Sequence, residues 1–483
     1  MLFTSLEFFV FLPLALLVFA LLPVGVRWVW LLLASWLFYG IWQPSNLIFL
    51  GAVTLVVIAC GRAMRGEGRG RRTALVAGLI AVLGALVAFK FHDFLAGEVE
   101  RLAGLAAGAL PRIGVTAPAG FSFYAFSAAS YLVDAYRREV PERTDAGHLA
   151  LYVAYFPKIF AGPIERATTF LPQAWKGLRS DPDRLLLGLQ LIGWGLFKKV
   201  VIADNLAPLV DRNFAIAAFA APMELLISVY FFAFQIYCDF SGYTDIALGV
   251  SLLFGVRLME NFRRPYLSRS TAEFWAARWH VSLGRWFRDY LYIPLGGSRA
   301  GTLRRAGNLM IVFLASGLWH AGLGYGVGWT FLVWGALNGV YQWVGLATRS
   351  FWRRAGALLP RVRDGLPLHV LRVLLTFHLI AIAWVFFRAK SVNEALLILQ
   401  KIGSRLTELP GLIPRYPFTA EHALGFALIG LLVAVEILDE RRPVLQRLAA
   451  APAWLRWAVF YLVIFALLLL GRWQAKEFIY MQF

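Results

Sequence analysis

The sequence predicts an all-α, multi-pass integral membrane protein with about eleven tilted transmembrane helices, and three observations carry that expectation. Of the 483 residues, 60% are apolar and only 16% are charged, with a mean hydropathy of +0.66. Apolar runs recur along the whole chain, among them residues 8 to 26, 74 to 89 and 457 to 471, and about 20 such residues cross a bilayer core. Basic residues, 47 Lys and Arg against 28 Asp and Glu, fall in short segments between these runs. A soluble chain with a net charge of +19 would suggest a nucleic-acid partner. Here the positive-inside rule accounts for the excess, so the expected partner is the lipid bilayer and no nucleic acid is expected. Cys60 and Cys238 both lie in apolar sequence without CxxC or CxxxC spacing, which excludes a disulfide framework or a structural zinc site.

The run at residues 8 to 26 follows Glu7, where a cleavable leader would carry basic residues, so it reads as the first retained helix. Spans near 6 to 23, 27 to 43 and 46 to 60 lead to residues 61 to 73, where Arg62, Arg65, Arg69, Arg71 and Arg72 face a single Glu67. That segment is placed in the cytoplasm and the N-terminus outside. By the same counting, 92 to 117 and 389 to 420 lie outside, whereas 257 to 306, 347 to 367 and 438 to 456 lie inside. The tail after 457 to 471 returns outside. Several apolar runs are only 14 to 16 residues long, which calls for tilted helices or a thin bilayer. No internal repeat supports an inverted-repeat transporter. No outer loop exceeds about 30 residues, too short for a domain, so a bulky extracytoplasmic substrate requires a separate protein.

Residues 235 to 328 concentrate polar, aromatic and basic groups. Gln235, Asp239, Tyr243 and Asp245 interrupt an apolar helix; the carboxylates either pair with nearby arginines to lock helices or act directly. Ser270 and Glu273 have capping-box spacing, and Pro294, Gly296 and Gly297 supply a stop, so 271 to 292 reads as one helix. Its Trp275, Trp279 and Trp286 are expected to dip into the bilayer from the cytoplasmic interface. Its Arg278, Arg285 and Arg288 either grip anionic lipid or receive the phosphates of an anionic cytosolic donor. His280 is a weak signal alone. His320 is stronger, because it stands in an uncharged membrane segment beside Trp319 and glycines at 317, 322, 324, 326 and 328. An imidazole there can take a proton from a hydroxyl, or can be a satisfied core histidine. No GxSxG, HExxH or Walker A motif and no paired metal-ligand spacing is present.

Five motifs carry a resemblance: SFYAFSAASYLVDAYR at 122 to 137, FPKIFAGPIER at 156 to 166, YCDFSGYTDIALG at 237 to 249, ENFRRPYLSRSTAEFWAARWHVSLGRWFRDYLYIPLGG at 260 to 297 and SGLWHAG at 316 to 322. Together they resemble the membrane-bound O-acyltransferase (MBOAT) family, in its bacterial alginate O-acetylation branch. The related peptidoglycan O-acetyltransferases and teichoic acid D-alanyltransferases share much of the pattern. The resemblance covers nearly the whole chain and implies one membrane domain, 1 to 483, with a catalytic core at about 118 to 346 and tilted helices around a central tunnel. It places the family's invariant histidine on His320 and its second motif histidine on His280. It implies acetyl transfer from cytosolic acetyl-CoA, without a metal, across a bacterial inner membrane to an extracytoplasmic polysaccharide, alginate first. Arg278, Arg285 and Arg288 would then hold the donor phosphates. A periplasmic SGNH-type acetyltransferase would complete a polysaccharide acetylation complex. The terminal FIYMQF suggests Tyr480 as an acetyl relay, against the plainer reading of Phe478, Tyr480 and Phe483 as an aromatic belt. Rivals of another class are a proton-coupled exporter of polymer or carrier and a structural anchor for a secretion complex.

Overall fold

The computed structural model describes residues 1–112, 117–141, 144–179, 181–299, 301–321, 328–358, 365–408, 411, 413–473 and 478–479, and no β-strand occurs among them. Among the described residues, seven helical stretches are long and apolar enough to cross a membrane, and the apolar helices Leu6–Leu21 and Ala453–Leu469 are shorter. Helices Gly301–His320 and Gly328–Leu358 are long but less apolar. The first three helices, Leu6–Leu21, Arg27–Trp42 and Asn46–Ala63, begin where the hydropathy places them. The arginine-rich segment is mostly helical, because helix Arg69–Ala103 starts within it and runs 35 residues. Gly68 at φ 90° opens that helix and Gly104 at φ 66° ends it in a left-handed cap. The loops on either side are therefore shorter than 61 to 73 and 92 to 117.

Two compact units divide the chain. The first comprises Met1–Leu196, Tyr243–Glu260 and Trp473–Phe483. Its core includes helix Phe121–Tyr136, buried along most of its length. Tyr152 ties the following segments together, its hydroxyl donating to the carbonyls of Ser127 at 3.0 Å and Glu165 at 2.8 Å. Gly188 and Gly249 let two helices touch backbone to backbone, since a Cβ on either would overlap the other's carbonyl. Phe478 is buried against Tyr243, with ring centroids 4.9 Å apart, and so does not sit at the headgroups as the belt reading requires. Tyr480 lies outside the described residues.

The second unit comprises Phe197–Gly242 and Asn261–Arg472. It opens on a π-helical turn, Phe197–Ala203, which continues into helix Asp204–Ala215. Helices Gly301–His320 and Gly328–Leu358 pack closely through glycine: a Cβ at Gly317 would strike the Phe331 carbonyl, one at Gly335 the Phe313 carbonyl, and one at Gly339 the Met310 side chain. Small residues at such contacts let backbones approach where lipid supplies no hydrophobic drive.

Candidate active site

The stretch from 271 to 292 is not one helix. Ser270 caps its start as expected, accepting from the Glu273 N–H at 3.1 Å. The Glu273 carboxylate reaches back to the N–H of Arg269 rather than to that of Ser270. A π-helical turn, Phe274–Arg278, follows the short helix Thr271–Glu273, and the chain then breaks: Trp279 is extended and His280 left-handed at φ 42°. A non-glycine residue held there costs on the order of 1–3 kcal/mol and persists only where its surroundings fix it. Helix Val281–Phe287 restarts because buried Asn261 caps it from a distant segment. The Val281 N–H donates to the Asn261 carbonyl at 3.0 Å, and the Ser282 N–H to the Asn261 Oδ1 at 3.1 Å. A second π-helical turn, Arg288–Tyr292, ends the stretch.

The tryptophans face protein rather than lipid. Trp279 stacks on Phe274 with ring planes 15° apart and meets Trp384 at 4.9 Å. Trp275 donates its indole N–H to Asn338 Oδ1 at 2.9 Å, and Trp286 is buried. The break at His280 turns this stripe onto the apolar faces of helices Gly328–Leu358 and Leu366–Arg388, which carry Trp334 and Trp384.

The same break delivers His280 to His320's neighbourhood. Each is 3% exposed, and His320 is the last residue of its helix. Trp319 touches both, with ring centroids 6.0 Å from His280 and 4.7 Å from His320. Phe240 stands 4.7 Å from His280, and Trp334 and Phe387 each stand 5.3 Å from His320. Burial pushes the His280 imidazole down to about 3, so it is neutral at physiological pH. Two imidazoles in a water-poor aromatic nest suit proton transfer at a hydroxyl. The glycines at 322, 324 and 326 lie outside the described residues.

The basic groups part company. Arg285 and Arg288 are exposed, and Arg288 pairs with Asp289 at 2.8 Å. Arg278 is largely buried and engages Glu273 at 2.8 Å and Glu440 at 2.7 Å. Asp239 pairs with Lys199 at 2.6 Å. Lys199 also meets Asp204 at 3.0 Å, and neighbouring Lys198 donates to Ser241 at 2.9 Å. Sequence reasoning singled out Asp239 but passed over Lys198, Lys199 and Asp204, although two lysines in an apolar stretch signal them. Among the described residues, no group of three His, Cys, Asp or Glu side chains is placed to hold a metal ion.

Comparison with known proteins decides the family. The model of the membrane-bound O-acyltransferase family matches residues 121–387. The chain belongs to the membrane-bound O-acyltransferase family. As an MBOAT protein it is an acyltransferase of the membrane, and both histidines fall inside the matched segment. It is 36% identical over 394 residues to the probable alginate O-acetylase AlgI of Azotobacter vinelandii, covering 80% of this chain and 74% of that protein. It is 32% identical over 431 residues to the peptidoglycan O-acetyltransferase of Helicobacter pylori, covering 82% and 78%. The teichoic acid D-alanyltransferase of Bacillus subtilis is 26% identical over 287 residues, covering 57% and 69%.

Proposed function

We propose that this MBOAT protein is an O-acetyltransferase of the bacterial inner membrane, passing acetyl from cytosolic acetyl-CoA outward for O-acetylation of an extracytoplasmic polysaccharide, alginate first. One observation carries the proposal: His280 and His320 share one buried aromatic nest inside the family-matched segment. His320 takes the proton of an acceptor hydroxyl as its oxygen attacks the thioester carbonyl; the C–S bond breaks, and the CoA thiolate leaves. Neutral His280 orients the thioester or the acceptor. Exposed Arg285 and Arg288 meet the donor phosphates, whereas the carboxylates around Arg278 make it the least available of the three predicted donor-binding arginines. The relatives named for alginate and peptidoglycan O-acetylation support acetyl and a polysaccharide acceptor over other acyl groups.

The polymer is too bulky for a helix bundle, so the acetyl group leaves on a small carrier. Tyr480 fits this role: its phenol oxygen accepts the acetyl group, and the resulting phenyl ester passes it to a periplasmic SGNH-type acetyltransferase. Tyr480→Phe removes only the oxygen. Polymer acetylation in cells is expected to stop in this variant while expression and partner binding persist. Acetylation at the wild-type rate would rule the relay out, and the identity of the polymer that loses acetate tests alginate against peptidoglycan.

Orientation is tested separately. In a background lacking Cys60 and Cys238, single cysteines replacing Glu67 and Ser350 are expected to resist an impermeant thiol reagent added outside, and one replacing Lys390 to react. Labelling at position 67 would invert the topology and move the donor to the other face. Positions 67, 350 and 390 are all exposed.

A further inference from the structure

His280 is held by more than its own helix. Residues 261 to 264 run beside 278 to 282, and backbone bonds bracket the histidine on both sides. The Arg263 N–H donates to the Arg278 carbonyl at 2.9 Å, and the Val281 N–H to the Asn261 carbonyl at 3.0 Å. Both strips contain a left-handed non-glycine residue, Arg264 at φ 46° and His280 at φ 42°. Two arginines of these strips converge on the C-terminal end of helix Ala420–Arg441. Glu440 accepts from both terminal guanidinium nitrogens of Arg278, at 2.7 and 3.1 Å, and forms an ion pair with Arg264, whose Nε lies 2.6 Å away without hydrogen-bond geometry. Asp439 takes the other side of Arg264. Arg278 further donates towards the carbonyls of Arg263 and Arg264 at 3.3 and 3.4 Å, and its Nε meets Glu273 at 2.8 Å.

Carboxylates at a helix C-terminus oppose the helix dipole, so Asp439 and Glu440 do not serve their own helix. They serve the arginines. Forked, charge-assisted pairs of this kind fix direction as well as distance, and here the direction they fix is that of the strip ending in His280.

We propose that Glu440 and Arg278 are positioning residues, a carboxylate–guanidinium clamp that holds His280 in its left-handed setting against Phe240 and Trp319. The inference rests on the reading of His280 as part of the acetyl-transfer site. The clamp acts through His280 and touches neither donor nor acceptor. Its release misplaces an imidazole by a fraction of its size, and displacements near 1 Å cost up to about 100-fold in rate.

The test is CoA release from acetyl-CoA by purified full-length protein in lipid nanodiscs, with the periplasmic SGNH-type partner and an acetylatable polysaccharide present to take up the acetyl group, and with kcat and KM measured separately for Glu440→Gln, Arg278→Gln, the double variant and His280→Gln. Each clamp single is expected to lower kcat about 10- to 100-fold with the KM for acetyl-CoA near the wild-type value. The double is expected to be no worse than the worse single, because the partners act as one unit. Glu440→Asp, which keeps the charge, is expected to recover part of the loss, so low yield of the Gln variant does not hide the effect. Wild-type kcat in Glu440→Gln, additive losses in the double, or a raised KM with kcat kept in Arg278→Gln would each overturn the clamp, the last by making Arg278 a donor-binding group. Wild-type kcat in His280→Gln would instead overturn the site reading on which the clamp rests.

Discussion

Replacing His320 with glutamine is expected to lower CoA release from acetyl-CoA by about 100- to 10,000-fold, the range that a positioned general base contributes, while the protein inserts and melts as the wild type does. Glutamine preserves bulk and hydrogen bonding but takes no proton near neutral pH. That control matters because His320 packs against Trp319, Trp334 and Phe387. His320→Ala would also leave a void, so its loss of activity would mix packing with chemistry. Turnover by the glutamine variant within tenfold of wild type would make His320 an orienting group. Unchanged polymer acetylation in cells would remove it from the reaction altogether.

The second large effect concerns stability. Lys199 is 2% exposed and stands between Asp204, 8% exposed, and Asp239, 2% exposed. Lys199→Met leaves two buried carboxylates without that cation. Breaking a buried ion pair from one side costs about 3–5 kcal/mol, enough to lower membrane yield and the melting temperature in detergent. The triple variant Lys199→Met, Asp204→Asn, Asp239→Asn removes both carboxylate charges together with the ammonium and is expected to regain most of the loss. A single variant that melts with the wild type would show the cluster to be energetically idle.

Hydropathy made the early helices legible, since lipid demands long apolar runs whatever the neighbours are. Ser270 was legible as a cap because its partner lies three residues away. His320 was legible because an ionisable group in an apolar helix is expensive and needs a reason. The break at His280 was hidden because its cap, Asn261, lies 21 positions from Ser282, beyond any local pattern. The tryptophan stripe was read correctly as apolar and wrongly as lipid-facing, since bilayer and protein interior are both apolar and periodicity does not separate them. The partner of Asp239 was missed for a similar reason: Lys199 lies 40 positions away in a wide turn rather than a regular helix. Arg278 looked like its exposed neighbours because charge is visible in sequence and burial is not.

Three wide turns, Phe197–Ala203, Phe274–Arg278 and Arg288–Tyr292, recur in the second unit. A π-helical turn behaves as an α-helix that has taken in one additional residue. Losing that residue lets the turn relax to ordinary pitch, but it swings everything downstream by roughly 100° about the axis. For Lys199 this would aim the ammonium away from both aspartates, and for the segment leading to His280 it would alter the approach to the ring nest. Apart from Lys199 and Arg278, whose charges are held by partners, side-chain exchange at these turns is an ordinary perturbation that neighbours can absorb. Deletion of a single codon is not, and in mutational libraries the turns should stand out as places where length changes are lethal even at positions that accept substitution.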